Sequence, residues 1–559
     1  MISINSSRNQ IRLLEILPGS GDEDIRASHR IACLDEQAKY RALSYVWGGS
    51  SEGRSVVLEG SVIKVTDNLF SALRTIRSSS ESIILWVDAL CINQEDAIEK
   101  RDQVHLMRRI YTQCTNCFVH LGKVNASETG APDHDPLGVA QAVWEAIRIV
   151  ADPTPYSELP SGLATREAQA RAGKAFQFVQ RGPWWTRIWT IQEGVAPPRH
   201  TLIWGPLTMP WEVFVKFSGN AMDLKWPDNL GLDFFAFFPE GRALHLTASF
   251  TGLGMAAAWA NQTPNPLEML WRFRHRHSGD PRDKVYSILG LLHEGEQPLP
   301  SVTSSDYELP AATLFKRVTI DLIRDDWGLC PLIGLRGEQK SVPDLPSWAI
   351  DWSLPEKNDI TEFWAHDIFY YDFTADKGLP MLDKDALVSP DEDSVIHLNG
   401  VMFDRVLASS KPIKTDKIDE IMRMWDELTV EAKSKGLKHD PATETFRNIV
   451  FRNMMEGKFL EPDRGREWRE RMWANQTLFF TDTGYIGLGP STVSQGDEIW
   501  VMSGGRVPFV LRPQETGREQ DEKSKSSDYT FVGDVYMPGL MHGEAVEGRL
   551  EGQRFVKIH

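Results

Sequence analysis

Asp88 directly follows a short, almost continuous apolar segment, and two amide side chains, Asn93 and Gln94, come soon after it. In open parallel sheets, ligands bind beyond the carboxyl ends of the strands. These three side chains are therefore candidates for binding the hydroxyl or carboxamide groups of a small ligand. The alternative is structural, because Asp88 and Asn93 could instead hold the loop through hydrogen bonds to its backbone.

A second apolar segment ends in Ser44, Tyr45 and Trp47, which are candidates for the same kind of site. Tyr45 or Trp47 could stack on a base, and the alternative for at least one of them is core packing. Gly48 and the glycine and serines after it could cradle a phosphate. The segment lacks the lysine of a phosphate-binding loop, so the residues favour a turn.

The cysteines are weaker candidates for a catalytic or metal site. Cys91, near Asp88 and His105, would act as a nucleophile only with an imidazole within hydrogen-bond reach of its sulfur. Cys114 and Cys117 have the spacing of half a zinc or redox site. Because no second pair is close in the sequence, we expect two buried thiols and no metal.

The elements that must position these residues alternate between strands and helices. Short apolar runs predict strands at 41–47, 82–88, 117–122 and 201–204. Residues 56–65 predict a hairpin that turns at Glu59 and Gly60. Apolar residues at helical spacing after Thr66 and after Asp96 predict two capped helices. This order predicts an α/β domain with a parallel sheet and helices on its faces.

The domain organisation follows from changes in composition and in the spacing of apolar residues along the 559 residues. We expect the α/β domain to occupy residues 1–205, with an insertion at about 123–163. Residues 206–340 are predicted to be mainly helical, and residues 341–559 to be mixed and β-rich.

Composition limits the classes of partner. The net charge is −17, which argues against binding to nucleic acid. The basic stretch 272–277 lies beside Asp280 and Asp283, and we interpret it as a charge network. Five cysteines fit a reducing compartment. No apolar run is long enough to predict a membrane span, so we expect a cytoplasmic protein.

Three longer motifs resemble the heterokaryon incompatibility (HET) domain of filamentous fungi. They are Tyr40-Arg-Ala-Leu-Ser-Tyr-Val-Trp47-Gly48, Leu85-Trp-Val-Asp-Ala-Leu-Cys-Ile-Asn-Gln94-Glu-Asp96, and Trp185-Thr-Arg187-Ile-Trp189-Thr-Ile-Gln192-Glu193. Segments 280–290 and 345–353 also resemble sequences that follow HET domains. The resemblance implies an effector of fungal self/non-self recognition and programmed cell death.

The HET domain is in turn similar to Toll/interleukin-receptor (TIR) domains, some of which cleave NAD at the nicotinamide–ribose bond. Leu43-Ser44-Tyr45 resembles the first-strand motif of a TIR domain. Trp189-Thr-Ile-Gln-Glu193 resembles the stretch that carries the TIR catalytic glutamate, with Thr190 where cysteine is usual. The resemblance implies a TIR/flavodoxin-like fold and a catalytic role for Glu193.

Cleavage of that bond builds positive charge on the ribose. A buried anion about 4 Å away stabilises such a cation by about 4 kcal/mol at an effective dielectric of about 20. Nicotinamide leaves as a neutral pyridine, so one carboxylate, that of Glu193, suffices. The remaining candidates would bind substrate, and they are Ser44, Tyr45, Trp47, Gly48, Asp88, Asn93, Gln94, Arg187 and Trp189.

The predicted function is therefore hydrolysis of NAD or a related nucleotide, with the nucleotide as substrate and no bound cofactor. The resemblance also implies self-association in the active state and a possible protein trigger. The alternative is a non-catalytic assembly module that signals cell death by interaction. In that case Glu193 would pair with Arg187 or cap a helix.

Overall fold

The computed structural model describes residues 1–48, 53–126, 135–152, 158–222, 230, 266–291, 299–334, 340–354, 373–380, 382–389, 392–415, 417–437, 475–514 and 528–559. The chain divides into two compact units. The first comprises Met1–Asn265, Arg272–Glu296 and Ser304–Glu308. The second comprises Pro266–Trp271, Gln297–Thr303 and Leu309–His559.

The first unit is built on a nine-stranded sheet with the strand order β5-β4-β2-β1-β6-β3-β7-β8-β9. Its strands are β1 (Gln10–Ile16), β2 (Arg26–Cys33), β3 (Arg41–Tyr45), β4 (Arg54–Leu58), β5 (Ser61–Val65), β6 (Ile83–Trp86), β7 (Cys117–Gly122), β8 (His200–Trp204) and β9 (Leu207–Pro210).

The α-helices of the described residues lie mostly between the strands of the first sheet in chain order, or follow them. They are α1 (Asp67–Ile76), α2 (Asp88–Cys91), α3 (Ala97–Gln113), α4 (Pro136–Ala151), α5 (Arg166–Arg181), α6 (Pro183–Thr186), α7 (Thr190–Val195), α8 (Trp211–Met222), α9 (Pro266–Phe273), α10 (Asp283–Leu289), α11 (Ala311–Leu322) and α12 (Ile418–Ser434). In the part of the chain that the structure describes, no helix is both long and apolar enough to cross a bilayer.

The predicted α/β class is confirmed, and the sheet is mixed rather than wholly parallel. Four neighbouring strands, β6, β3, β7 and β8, run parallel to one another. Antiparallel pairs flank them, because β1 pairs with β6 and β2, and β9 pairs with β8. The carboxyl ends of β3 and β6 therefore lie side by side, as the predicted site requires.

Local signals account for the short elements. The β4–β5 hairpin turns at Glu59 and Gly60, which both have positive φ, as a two-residue hairpin turn requires. The hydroxyl of Thr66 caps α1 by accepting from the backbone N–H of Leu69. Asp96 caps α3 by accepting from two backbone N–H groups of its first turn, each at 3.0 Å. The predicted hairpin and caps are confirmed.

A buried arginine fixes the loop between α2 and α3. Arg12, on β1, is 1% exposed and makes two hydrogen bonds with the carboxylate of Glu99, at 2.5 and 2.8 Å. It also donates to the carbonyl of Cys91 at 3.1 Å. Glu99 in turn accepts from the backbone N–H of Asn93 at 2.7 Å. The sheet and α3 thus hold both ends of the loop that carries Gln94.

The two predicted buried thiols, Cys114 and Cys117, are confirmed, and Cys91 also lies in the core. Burial raises the pKa of Cys91 to about 12, so its thiol stays protonated near neutral pH. A protonated thiol is a poor nucleophile, and the arrangement does not favour the thiol hydrolase that the sequence left open.

The second unit contains a β-rich region, as predicted. Its strands are β10 (Val388–Ser389), β11 (Glu392–Ser409), β12 (Gln476–Thr481), β13 (Ile486–Pro490), β14 (Glu498–Met502), β15 (Phe509–Pro513), β16 (Asp528–Asp534) and β17 (Gln553–Ile558). The long strand β11 pairs with both β14 and β17, which closes the path β11-β14-β15-β16-β17 into a ring. Closure satisfies the backbone groups that would otherwise form exposed edges.

Replacing Arg12 with alanine is expected to lower the free energy of unfolding by about 3 kcal/mol, because the partly buried Glu99 carboxylate loses its cation. Urea unfolding of the full chain, followed by tryptophan fluorescence, measures this loss. Arg30→Ala is the matched control, since the Arg30–Glu15 pair has the same 2.5 Å separation but Arg30 is 59% exposed. The control should cost at most about 1 kcal/mol. Equal losses in the two variants would contradict the assigned role of Arg12.

Candidate active site

The first unit contains a cavity of about 570 Å³ beyond the carboxyl ends of β3 and β6. This volume lies within the range of small-molecule sites, about 300–1,000 Å³. The lining residues are Trp47, Asp88, Ile92, Gln94, Lys100, Val104, Met107, Arg187, Trp189, Glu193, His277, Ser278, Gly279, Asp280, Asp283 and Tyr307. Ionisable groups and aromatic rings thus line the same cavity.

Glu193 lies on α7 and is 2% exposed. Its Oε2 atom accepts a hydrogen bond from the hydroxyl of Ser44, the fourth residue of β3. The Ser44 oxygen also accepts from the indole N–H of Trp184 at 2.6 Å. This chain of hydrogen bonds joins the central sheet to α6 and α7, and it satisfies one oxygen of a buried carboxyl group.

Burial raises the pKa of Glu193 to about 7. The positive charge of Arg187 and the hydrogen bond from Ser44 act in the opposite direction, and the negative charge of Asp88 adds to the rise. A pKa near neutrality is typical of carboxyl groups that take part in catalysis, although buried structural carboxyls also show it. Near neutral pH, Glu193 is divided between its charged and neutral forms.

Arg187 connects the two carboxyl groups electrostatically. Its guanidinium donates to the carbonyl of Tyr45 at 2.5 Å. Its charge lowers the pKa of both Glu193 and Asp88. Ser44 donates the hydrogen bond to Glu193. Arg187 acts on the Glu193 carboxyl group through the electric field of its positive charge.

Asp88 begins α2, directly after β6. One carboxylate oxygen accepts from the indole N–H of Trp47 at 2.9 Å, and the other accepts from the backbone N–H of Ala89 at 2.7 Å. Burial raises the pKa of Asp88. The Gln94 amide donates to the Asp88 carbonyl at 3.3 Å. Asp88 therefore holds Trp47 at the cavity wall.

The structure brings six of the predicted site residues to the cavity wall, namely Trp47, Asp88, Gln94, Arg187, Trp189 and Glu193. Ser44 and Tyr45 are buried behind that wall. The Asn93 side chain accepts from the backbone N–H of Glu95 at 3.2 Å and so helps to hold the loop. Gly48 has a φ of 76°, which suits a turn. Residues 49–52 lie outside the described residues.

Sequence reasoning missed the opposite wall. His277, Ser278, Gly279, Asp280 and Asp283 line the cavity together with Lys100 and Tyr307. The Tyr307 hydroxyl donates to Asp283 at 2.7 Å. Asp280 accepts two hydrogen bonds from the guanidinium of Arg282, a residue outside the basic stretch 272–277 for which a charge network was predicted. The resemblance of segment 280–290 to sequences that follow HET domains was the signal that could have identified this wall.

Backbone hydrogen bonds attach the opposite wall to the segment that carries Glu193. The N–H of Ile188 donates to the carbonyl of His277 at 2.9 Å, and the N–H of His277 donates to the carbonyl of Thr186. Arg276 is fully buried and donates to the Thr190 hydroxyl at 2.9 Å. The two walls of the cavity therefore form one connected structure.

The described residues form no group of three or more His, Cys, Asp or Glu side chains arranged to hold a metal ion. The polar side chains of the lining are carboxylates, an amide, a lysine ammonium, a guanidinium, an imidazole and a serine hydroxyl, with indole and phenol rings among them. Carboxylates and amides bind hydroxyl groups, and aromatic rings stack on planar ring systems. The chemistry of the lining suits a polar organic ligand that carries a ring.

Comparison with known proteins gives two family matches and one full-length relative. Residues 40–193 match the family "Heterokaryon incompatibility protein (HET)", and residues 469–556 match the "Het-6 beta-barrel domain". The chain is 22% identical to "Heterokaryon incompatibility protein 6, OR allele" of Neurospora crassa, over 98% of this chain and 96% of that protein. No solved structure matches the chain.

The raised pKa of Glu193 makes stability depend on pH. The folded protein retains this proton up to about pH 7, whereas the unfolded chain releases it near pH 4.5. The free energy of unfolding should therefore fall as the pH rises from about 4.5 through about 7. Glu193→Gln keeps an acceptor for Ser44 and carries no charge. Relative to wild type, this variant should gain roughly 3 kcal/mol between pH 5 and pH 8.

Urea unfolding of wild type and variant at the two pH values measures this gain. Glu81→Gln, at an exposed position in the same unit, is the matched control and should show no such pH-dependent gain. If the difference between Glu193→Gln and wild type were the same at pH 5 and pH 8, the assigned environment of Glu193 would be wrong.

Proposed function

Because this chain is a HET-domain protein, we propose that its first unit hydrolyses NAD or a related nucleotide in the cavity that Glu193 lines, and that it acts in fungal incompatibility and cell death. The role in incompatibility is supported by the name of the Neurospora crassa relative. The enzymatic activity is supported by the site itself.

One observation carries the enzymatic proposal: Glu193, Asp88 and the indoles of Trp47 and Trp189 line the same cavity. A carboxyl group that only stabilised the fold would not need to face a space of about 570 Å³. The cavity also lies where ligands bind in open α/β sheets, beyond the ends of parallel strands.

The proposed reaction breaks the bond between nicotinamide and C1′ of its ribose. The bonding electron pair leaves with nicotinamide, which becomes a neutral pyridine, and positive charge develops on the ribose. The Glu193 carboxylate stabilises that charge, and water then adds to C1′ and releases a proton. Because burial leaves few water molecules to screen the charge, a fixed carboxylate here acts more strongly than one in solvent.

The other lining groups have supporting roles in this proposal. Gln94 and Asp88 orient the ribose or the carboxamide, and Trp47 and Trp189 stack on the planar rings. Arg187 supports the ionised form of Glu193, because its charge lowers the pKa of that carboxyl. Tyr45 contributes its backbone carbonyl, which receives the hydrogen bond from Arg187.

The second candidate function is a non-catalytic assembly module. It is favoured by the 2% exposure of Glu193 and by its hydrogen bond to Ser44, since both are also properties of a structural carboxyl group. In this alternative, Glu193→Gln would preserve cell death on overexpression in a fungal host. In the enzymatic proposal, the same substitution abolishes it.

Purified full-length protein is expected to convert NAD into nicotinamide and ADP-ribose, measured by chromatography of the products. Glu193→Gln should reduce kcat by about a thousandfold, which corresponds to the loss of about 4 kcal/mol of charge stabilisation. Glu81→Gln serves as the control with wild-type turnover. The wild-type kcat/KM should rise with pH through about 7, as Glu193 ionises. Equal turnover by wild type and Glu193→Gln would remove this residue from the mechanism.

Self-association in the active state is a further part of the proposal, and it follows from the similarity of HET domains to TIR domains. If association activates the enzyme, turnover per molecule should increase with protein concentration. Activity assays at several concentrations, paired with light scattering, measure this dependence. Constant turnover per molecule across the range in which the mass changes would argue against activation by assembly.

A further inference from the structure

Two groups of charged side chains line the cavity. In the first group, Glu193 accepts from the Ser44 hydroxyl, and Arg187 and Asp88 act on its pKa through their charges. In the second group, Tyr307 donates to Asp283, and Lys100 lies near the Tyr307 ring.

Asp283 is the carboxylate of the second group that is arranged to accept from a ligand. Asp280 already accepts three hydrogen bonds from Arg282, two from the guanidinium and one from the backbone N–H. Asp283 accepts from the Tyr307 hydroxyl at its Oδ1 atom, at 2.7 Å. Asp283, Tyr307 and Trp189 all line the cavity.

Two cations lie close to the Tyr307 ring. The Lys100 ammonium lies 5.2 Å from the ring centroid, and the Arg282 guanidinium lies 5.3 Å from it. Cations at this distance are attracted to the ring face. Tyr307 donates to Asp283 and also holds the charges of Lys100 and Arg282 close to its ring.

A dinucleotide carries two riboses, and under the proposed function, on which this inference rests, the reacting ribose lies beside Glu193. We propose that Asp283 accepts hydrogen bonds from the hydroxyl groups of the second ribose, and so selects dinucleotides with a free 2′-hydroxyl over those with a 2′-phosphate. A carboxylate is the group that binds a ribose 2′-hydroxyl in dinucleotide sites of other folds. A phosphate at that position removes the donor and brings like charges together.

The selectivity is tested by binding, separately from turnover. Isothermal titration calorimetry on full-length Glu193→Gln protein measures the Kd of NAD and of NADP without hydrolysis. NAD is expected to bind about 10- to 100-fold more tightly, because a hydrogen bond to a charged group is lost in NADP. Adding Asp283→Asn, which keeps the shape and removes the charge, should bring the two Kd values to within a few-fold of each other. Asp102→Asn, on α3 and outside the cavity lining, is the matched control and should leave the preference unchanged.

Three results would overturn the inference: equal Kd values for the two dinucleotides, a preference that Asp283→Asn does not change, and no binding of either dinucleotide. The proposed function is judged by wild-type turnover alone. Hydrolysis of NAD without discrimination would retain the proposed function and reject the role of Asp283. Selective binding without hydrolysis would reject the proposed function and retain the role of Asp283.

Discussion

The hydrogen bond from Ser44 to Glu193 is the interaction on which the site depends. A carboxyl group that is 2% exposed is costly unless its oxygens have partners, and Ser44 supplies one from the end of β3. Because Trp184 donates to the same hydroxyl, the contact joins the parallel core of the sheet to α6 and α7. The burial that this contact requires is also the cause of the raised pKa of Glu193. The position and the raised pKa of the carboxyl group thus have one physical origin.

The rest of the cavity is assembled around this carboxyl by segments that are remote in the chain. Arg12 reaches from β1 to Glu99 and fixes the loop that carries Gln94. Arg276 is buried and attaches the opposite wall to the first turn of α7. Both arginines are inside the fold, where a charged group must be bonded or is strongly destabilising. If either cavity segment were displaced, its arginine would lose these hydrogen bonds and the fold would be less stable.

The HET family match and the cavity cover different parts of the chain. The HET family match ends at Glu193, whereas the opposite wall is built from residues 277–283 and Tyr307. The site therefore extends beyond the matched domain, and the backbone hydrogen bonds of His277 with Ile188 and Thr186 join the two parts. Residues that follow the matched HET segment therefore line the cavity directly, although the family match does not include them.

The sequence by itself determined the features that depend on neighbouring residues. The strands at 41–45, 83–86 and 117–122, the hairpin turn at Glu59 and the caps at Thr66 and Asp96 all follow from local patterns and side-chain chemistry. Only the tertiary structure decided which carboxyl and aromatic groups share a cavity. Ser44 and Glu193 are 149 residues apart, and Tyr307 and Asp283 belong to a segment that sequence reasoning assigned to a different region. Such pairs depend on strand order and on the placement of remote segments, which short-range periodicity does not encode.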